Sequence, residues 1–239
     1  MPLIIYYSTL LLINLFNMYT LYYMPINSEC RAAKLILNEK KIQFKSINEP
    51  IWKRRLEFLK INPEGELPVI LDEHQNTIVG YEALAEYLDE KKVGDNIIGH
   101  NPLEKLEIRR LCRWISRKFK REVIENIVDE RVYNHLKGLG NPSSEKLKAG
   151  RINLRNNTEY FEWLLKKRSF LANETFSLAD IAYATTISSL DYLGEVEWNK
   201  ITFTKKWYAL IKSRPSFREI LEEKIYGIPP HKNYTNLDF

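Results

Sequence analysis

Cysteine is scarce in this chain of 239 residues: there are two, Cys30 and Cys112, with no CxxC pair and no paired His/Cys spacing. That argues against a disulfide framework and a structural zinc centre, and it fits reduced thiols in a cytosol. The histidines, His74, His100, His135 and His231, are scattered, so no metal site is expected. A P-loop, a GxGxxG run and a Ser/His/Asp arrangement are all missing, as are internal repeats and low-complexity segments. Charge is missing altogether before Glu29. The apolar run "PLIIYYSTLLLINLF" therefore has no basic n-region, and no small-residue cleavage site follows it, so it lacks the marks of a signal peptide. Asn14, Asn17 and Thr20 interrupt it short of the roughly 20 apolar residues that a membrane span needs. Residues 1–17 read as an apolar extension, or as the product of an upstream start codon. "MYTLYYMP" at Met18 is a natural domain start, and deletion of residues 1–17 is expected to leave folding intact.

What is present is an ordinary globular composition, 44% hydrophobic and 28% charged, enough for one large domain or two small ones. The net charge of +5 is uneven. Residues 1–98 carry 11 Lys/Arg against 13 Asp/Glu, a net −2, and the remainder carries 25 against 18, a net +7. Two units are implied: 18–98, then 99–225, followed by a Pro/Gly/Asn tail over 226–239. In the first unit Thr20–Tyr23 reads as a strand and Glu29–Lys40 as an amphipathic helix. "KIQFKSIN" alternates with period two and reads as a second strand. Pro50 to Ile61 is irregular or helical, and the turn signal "NPEGE" ends it. "LPVILDEHQNTIVG" is a hairpin and "YEALAEYLDEKK" a helix. This βαβ-α-ββα order, with Pro68 opening the third strand, is a thioredoxin-like layout.

The second unit reads as helical throughout. Ile108, Leu111, Cys112, Ile115, Phe119, Val123 and Ile127 share one face of a long first helix. Further helices are expected at about 145–168, 178–190 and 203–213. Ser177 and Asp180 in "SLAD" fit a capping box, in which each side chain satisfies a backbone N–H of the other's end of the turn. "RRLCRWISRKFKR" holds seven Lys/Arg in thirteen residues. Arg109, Arg113, Arg117 and Arg121 recur every fourth position, with Glu104, Glu107, Glu122 and Glu125 available to balance them. Without aromatic interleaving the run does not read as a nucleic-acid site. Trp163, Tyr183, Tyr192, Trp207 and Tyr208 lie in apolar stripes and are expected in the core.

The quoted elements in this order, with "LYYMP", "NPEGELPVIL", "AEYLDE", "FSLADIAYATTISSLDYL" and "WYALIKSRPSFREIL", resemble the glutathione transferase superfamily over nearly the whole chain from Met18. The tail "PPHKNYTNLDF" is similar to that of a bacterial branch ending in PP-x-x-Y-x-x-LDF. The resemblance implies an α/β thioredoxin-like N-terminal domain joined to an all-α domain, a homodimer formed near "YEALAEYLDE" and Leu103–Trp114, and a cytoplasmic location. It gives no expectation of a membrane or nucleic-acid partner.

It also implies a place for glutathione as cosubstrate. The family sets a hydroxyl or thiol at the start of the first helix, where partial positive charge and free N–H groups favour an anionic sulfur. With Arg31 fixed, those positions fall on Asn27 and Cys30, and Ser28 stands beside them. Asn27 is no nucleophile but carries an amide donor. Cys30 is either a reactive thiol or a small packing residue. Glu29 opposes a thiolate by charge. Pro68 matches the family's cis-proline, leaving the Leu67 backbone to pair with the ligand's cysteinyl part. The family's acid–Ser pair for the γ-glutamyl group reads Gly80–Tyr81 here, with Glu82 one position on. Trp52 and its basic neighbours stand where relatives hold the glycyl carboxylate.

Two functions follow. One is a glutathione transferase of weak activity, whose bound thiolate attacks a small electrophile or a disulfide. The other is a non-catalytic scaffold that binds a protein partner, as relatives bind RNA polymerase or translation factors.

Overall fold

The computed structural model describes residues 18–237; the expectation for residues 1–17 lies outside the described residues. β1 (Tyr19–Tyr23) is a run of β-favouring residues whose Leu21 is fully buried. Pro25 ends it. Asn27 then opens α1 (Ser28–Glu39) by accepting the Cys30 N–H on its side-chain oxygen at 2.9 Å, as an N-cap should. β2 (Phe44–Asn48) is shorter than the alternation suggested, because Lys41 turns the chain with φ +55°. After α2 (Leu56–Ile61) come β3 (Val69–Leu71) and β4 (Thr77–Val79), joined by a turn in which Asp72 accepts the N–H groups of His74 and Asn76. The sheet order is β2-β1-β3-β4. β1 runs parallel to β2, with Tyr19 opposite Phe44, and antiparallel to β3, with Leu21 opposite Ile70. α3 (Tyr81–Glu90) follows β4 directly.

From Pro102 onward the elements are helical. α4 (Pro102–Arg113) is capped by Asn101. It runs without a break into α5 (Trp114–Tyr133), where the turns widen to i→i+5 bonding. At its end the Asn134 N–H donates to the Asp129 carbonyl. An ordinary helix was expected here. Leu111, Ile115, Phe119, Val123 and Ile127 are all buried along its core side, with Cys112, Ile124 and Val128 beside them.

α6 (Asn134–Lys137), α7 (Ser144–Leu165), α8 (Leu178–Tyr192), α9 (Thr202–Lys212) and α10 (Arg218–Glu222) complete the chain. Every residue of α8 is buried, which makes it the central helix. The expected capping box at its start is present. Asp180 does more than cap: its carboxylate also accepts the Leu171 N–H and the Trp207 indole N–H, both at 2.9 Å. Among the expected core aromatics Tyr183, Tyr192, Trp207 and Tyr208 are buried. Trp163 is not: it is 50% exposed, stacked on Tyr160, with the Lys167 ammonium 4.1 Å from its ring centre.

α1 packs against α8 through polar groups as well as apolar ones. Arg31 is 1% exposed, donates to the Ser188 hydroxyl at 2.8 Å and pairs with Glu223 at 3.2 Å. Lys34 pairs with the same Glu223. Ser188 also meets the hydroxyl of Tyr234, a fully buried residue of the tail. The Ser189 hydroxyl donates to the Ile26 carbonyl at 2.7 Å. The tail is thus anchored in the body at Tyr234. No helix among the described residues is long and apolar enough to cross a membrane.

Candidate functional site

The N-terminus of α1 faces α5 and the start of α3, and this meeting is the candidate cleft. Its geometry is set by three local choices in the sequence. At the first, Asn27 spends its carbonyl oxygen on the Cys30 N–H. Its amide end faces Tyr133 of α5, whose buried hydroxyl also lies beside Cys30. Of the two readings of Cys30, reactive thiol or packing residue, its surroundings favour packing. Cys30 is fully buried with Met24, Phe58, Leu67 and Val69, and burial pushes its thiol pKa upward, away from the thiolate. Ser28, the first residue of α1, remains half-buried at the cleft. Glu29 was expected to oppose a thiolate, but the Lys120 ammonium sits 2.8 Å from its carboxylate and takes up that charge.

The second choice is the Leu67–Pro68 bond, which is cis. Leu67 is buried in a cluster with Met24, Cys30, Phe58 and Val69, against which Trp52, Tyr133 and Leu136 pack. Trp52 lies against Tyr133 with ring centres 6.4 Å apart and under the Lys137 ammonium, so it packs as part of the cleft rim.

The third choice is Gly80–Tyr81. Gly80 has φ +86° and ψ 151°, a conformation open essentially to glycine alone. An acidic side chain there would find space but a strained backbone. Tyr81 is 4% exposed, and its hydroxyl donates to Glu82 at 3.2 Å. Burial raises the pKa of both, and Glu29 and Glu86 add to the shift at Glu82. The crevice lined by Ser28, Glu29, Tyr81, Ile115, Ser116 and Lys120 has a volume of about 10 Å³, room for roughly one water. The buried Tyr81 ring forms part of the wall of this crevice.

Residues that the sequence reading passed over come from α5: Lys120, Tyr133 and Asp129. Asp129 has its carboxyl pKa raised to about 6 by burial and then by Glu125. Their signal was faint, because they lie about a hundred residues from α1 in sequence. Within the basic run, Arg109 pairs with Glu86, Arg110 with Glu107, and Lys118 and Arg121 with Glu122. Arg109, Arg113 and Arg117 line a groove of about 290 Å³ whose opposite wall holds Glu82 and Glu86. No cluster that could hold a metal ion occurs among the described residues.

With this geometry in view, the comparisons are consistent with one another. The glutathione S-transferase N-terminal domain family matches residues 21–95. FtsZ-localized protein A of Caulobacter vibrioides is 37% identical over 223 residues, covering 92% of this chain and 98% of that protein. Glutathione S-transferase 2 of Saccharomyces cerevisiae is 29% identical over 220 residues, covering 84% and 89% of the two chains. Among solved structures, a glutathione S-transferase from Rhodospirillum rubrum F11 superposes with a TM-score of 0.90 at 38% identity, covering 93% of this chain and 100% of the other. The thioredoxin-like sheet, the helical part around α8 and these relatives together lead to one statement: the chain belongs to the glutathione S-transferase superfamily.

Proposed function

We propose that this protein works by binding a protein partner on the glutathione transferase scaffold, and that FtsZ is the partner to test first. The carrying observation is the cleft itself. Tyr81 is buried at the start of α3 beside a crevice of about 10 Å³, Asn27 is committed to capping α1, and Cys30 is buried as a packing residue. The groups that would grip and ionise a glutathione thiol are therefore replaced by groups that close the cleft. The near full-length likeness to a protein named for its localisation with FtsZ supports that choice of partner. The protein is cytoplasmic in this reading, and a homodimer joined near α3 and α4, whose Leu103 and Leu106 are exposed.

The transferase reading, in which bound glutathione attacks a small electrophile or disulfide, retains one specific support: the cis Leu67–Pro68 bond beside the α1 N-terminus. In that reading Ser28 is the remaining hydroxyl at the thiol, and Leu67, Gly80, Tyr81 and Glu82 surround the rest of the ligand. One pair of measurements separates the two. Full-length protein should pellet with FtsZ polymers, and calorimetric titration with reduced glutathione should give no saturable heat. Tight glutathione binding without co-pelleting reverses the assignment.

A further inference from the structure

One opening in the helical part shares no lining residue with the cleft. It holds about 630 Å³ between α5, α7 and the turn after α8, a volume within the usual range for small-molecule sites. Leu154, Leu193 and Ile201 form an apolar floor and are each under 9% exposed, with Val196 beside them. The wall carries four cations, Arg131, Arg151, Arg155 and Lys200, against three carboxylates, Glu159, Glu195 and Glu197.

The charges are arranged unequally. Glu195, with a side chain 5% exposed, is gripped by Arg131 at 2.6 Å and by Arg151 at 2.7 Å. Burial alone would raise its pKa, but the hydrogen bond and charge of Arg151, with the charge of Arg131, hold it below the ordinary value. This pair fixes the wall. Glu197, by contrast, sits at the rim and is shared by Arg155 at 2.7 Å and Lys200 at 2.9 Å, whose side chains are 56% and 58% exposed. One carboxylate does not exhaust the N–H donors of a guanidinium and an ammonium. A second carboxylate can join them without displacing the first.

We propose that this cavity is a binding site for a small amphipathic carboxylate, its apolar tail on Leu154, Val196 and Ile201 and its head group on Arg155 and Lys200. The site goes beyond partner binding and is independent of it. The probe is octanoate, titrated calorimetrically into the full-length protein. The wild type should bind saturably. The double substitution Arg155→Ala, Lys200→Ala removes only exposed side chains and should weaken binding roughly tenfold or more, as expected for lost charged hydrogen bonds. Ile201→Phe, which narrows the floor, should weaken it without changing its salt dependence. Ser28→Ala, a substitution in the cleft, should leave the octanoate affinity unchanged. The proposal is overturned by no binding to the wild type, by equal affinity in the double variant, or by a tenfold loss in Ser28→Ala.

Discussion

Two helix starts in this molecule have diverged in what they do. At α8 the sequence "SLAD" builds a closed polar knot: Asp180 accepts from the backbone and hydroxyl of Ser177, from Leu171 and from Trp207, all within the core. At α1 the loop "INSEC" gives a single cap from Asn27, an exposed ion pair from Glu29 and a buried thiol. The first start is purely structural, and every donor around its acid has a partner. The second stands where the superfamily places chemistry, and its replacements favour packing over ionisation. A helix N-terminus supplies the same partial charge in both places. What differs is whether the side chains consume that potential internally or offer it to a ligand. In this chain both starts consume it.

The comparison can be broken most severely at α8. Asp180→Ala leaves four buried donors without an acceptor and should cost about 3–5 kcal/mol, read as a large fall in the denaturant midpoint. A loss near 1 kcal/mol would mean that the knot is replaceable. At the cleft, Tyr81→Ser should cost about 2–4 kcal/mol through the void it leaves. If the ring is what closes the cleft, that variant should also gain measurable glutathione binding by calorimetry. Adding Gly80→Glu should not improve it, because the glycine conformation resists a side chain. Asn27→Ala removes one N-cap and should cost about 1 kcal/mol, with no effect on co-pelleting with FtsZ.

The smallest effect concerns Asp129. Its folded pKa of about 6 lies above the ordinary 3.8, so the folded state holds its proton at higher pH than the unfolded state does. Stability should therefore fall as pH rises from about 4 to about 6, and the penalty should be complete above that window. Asp129→Asn should flatten this slope and stabilise the protein at neutral pH by at most about 1 kcal/mol, the group being partly screened by solvent. Thermal midpoints measured across the window give the sign directly.

Most of the fold was legible because it rests on local signals. The alternation in "KIQFKSIN", the turn at "NPEGE", the capping box and the buried face of α4 and α5 each act over a few residues and agree with one another. The cleft was legible only in part. The departures at Asn27 and Gly80–Tyr81 stand out in the sequence, but their consequence depends on what packs above them. Cys30 could be read as exposed or buried until α2 and β3 closed over it. Tyr133 and Lys120 reach the cleft from about a hundred residues away in sequence, on a helix whose turn is wider than the 3.6-residue period assumes. Trp163 failed differently. The buried stripe of α7 runs through Leu154, Phe161, Leu164 and Leu165, and Trp163 falls outside it, stacked on Tyr160 beside Lys167 at the surface.

Arg31 and Lys34 belong by sequence to the sheet-containing part, yet their shared partner Glu223 and the hydroxyls of Ser188 and Tyr234 belong to the helical part. Neither part can open alone without leaving a charge stranded in a dry interface. The amides of α1 should therefore exchange with solvent only when the whole molecule opens, at the rate of α8 and not of β2. A protease cut in the connection between α3 and α4 should leave two fragments that stay together and melt as one.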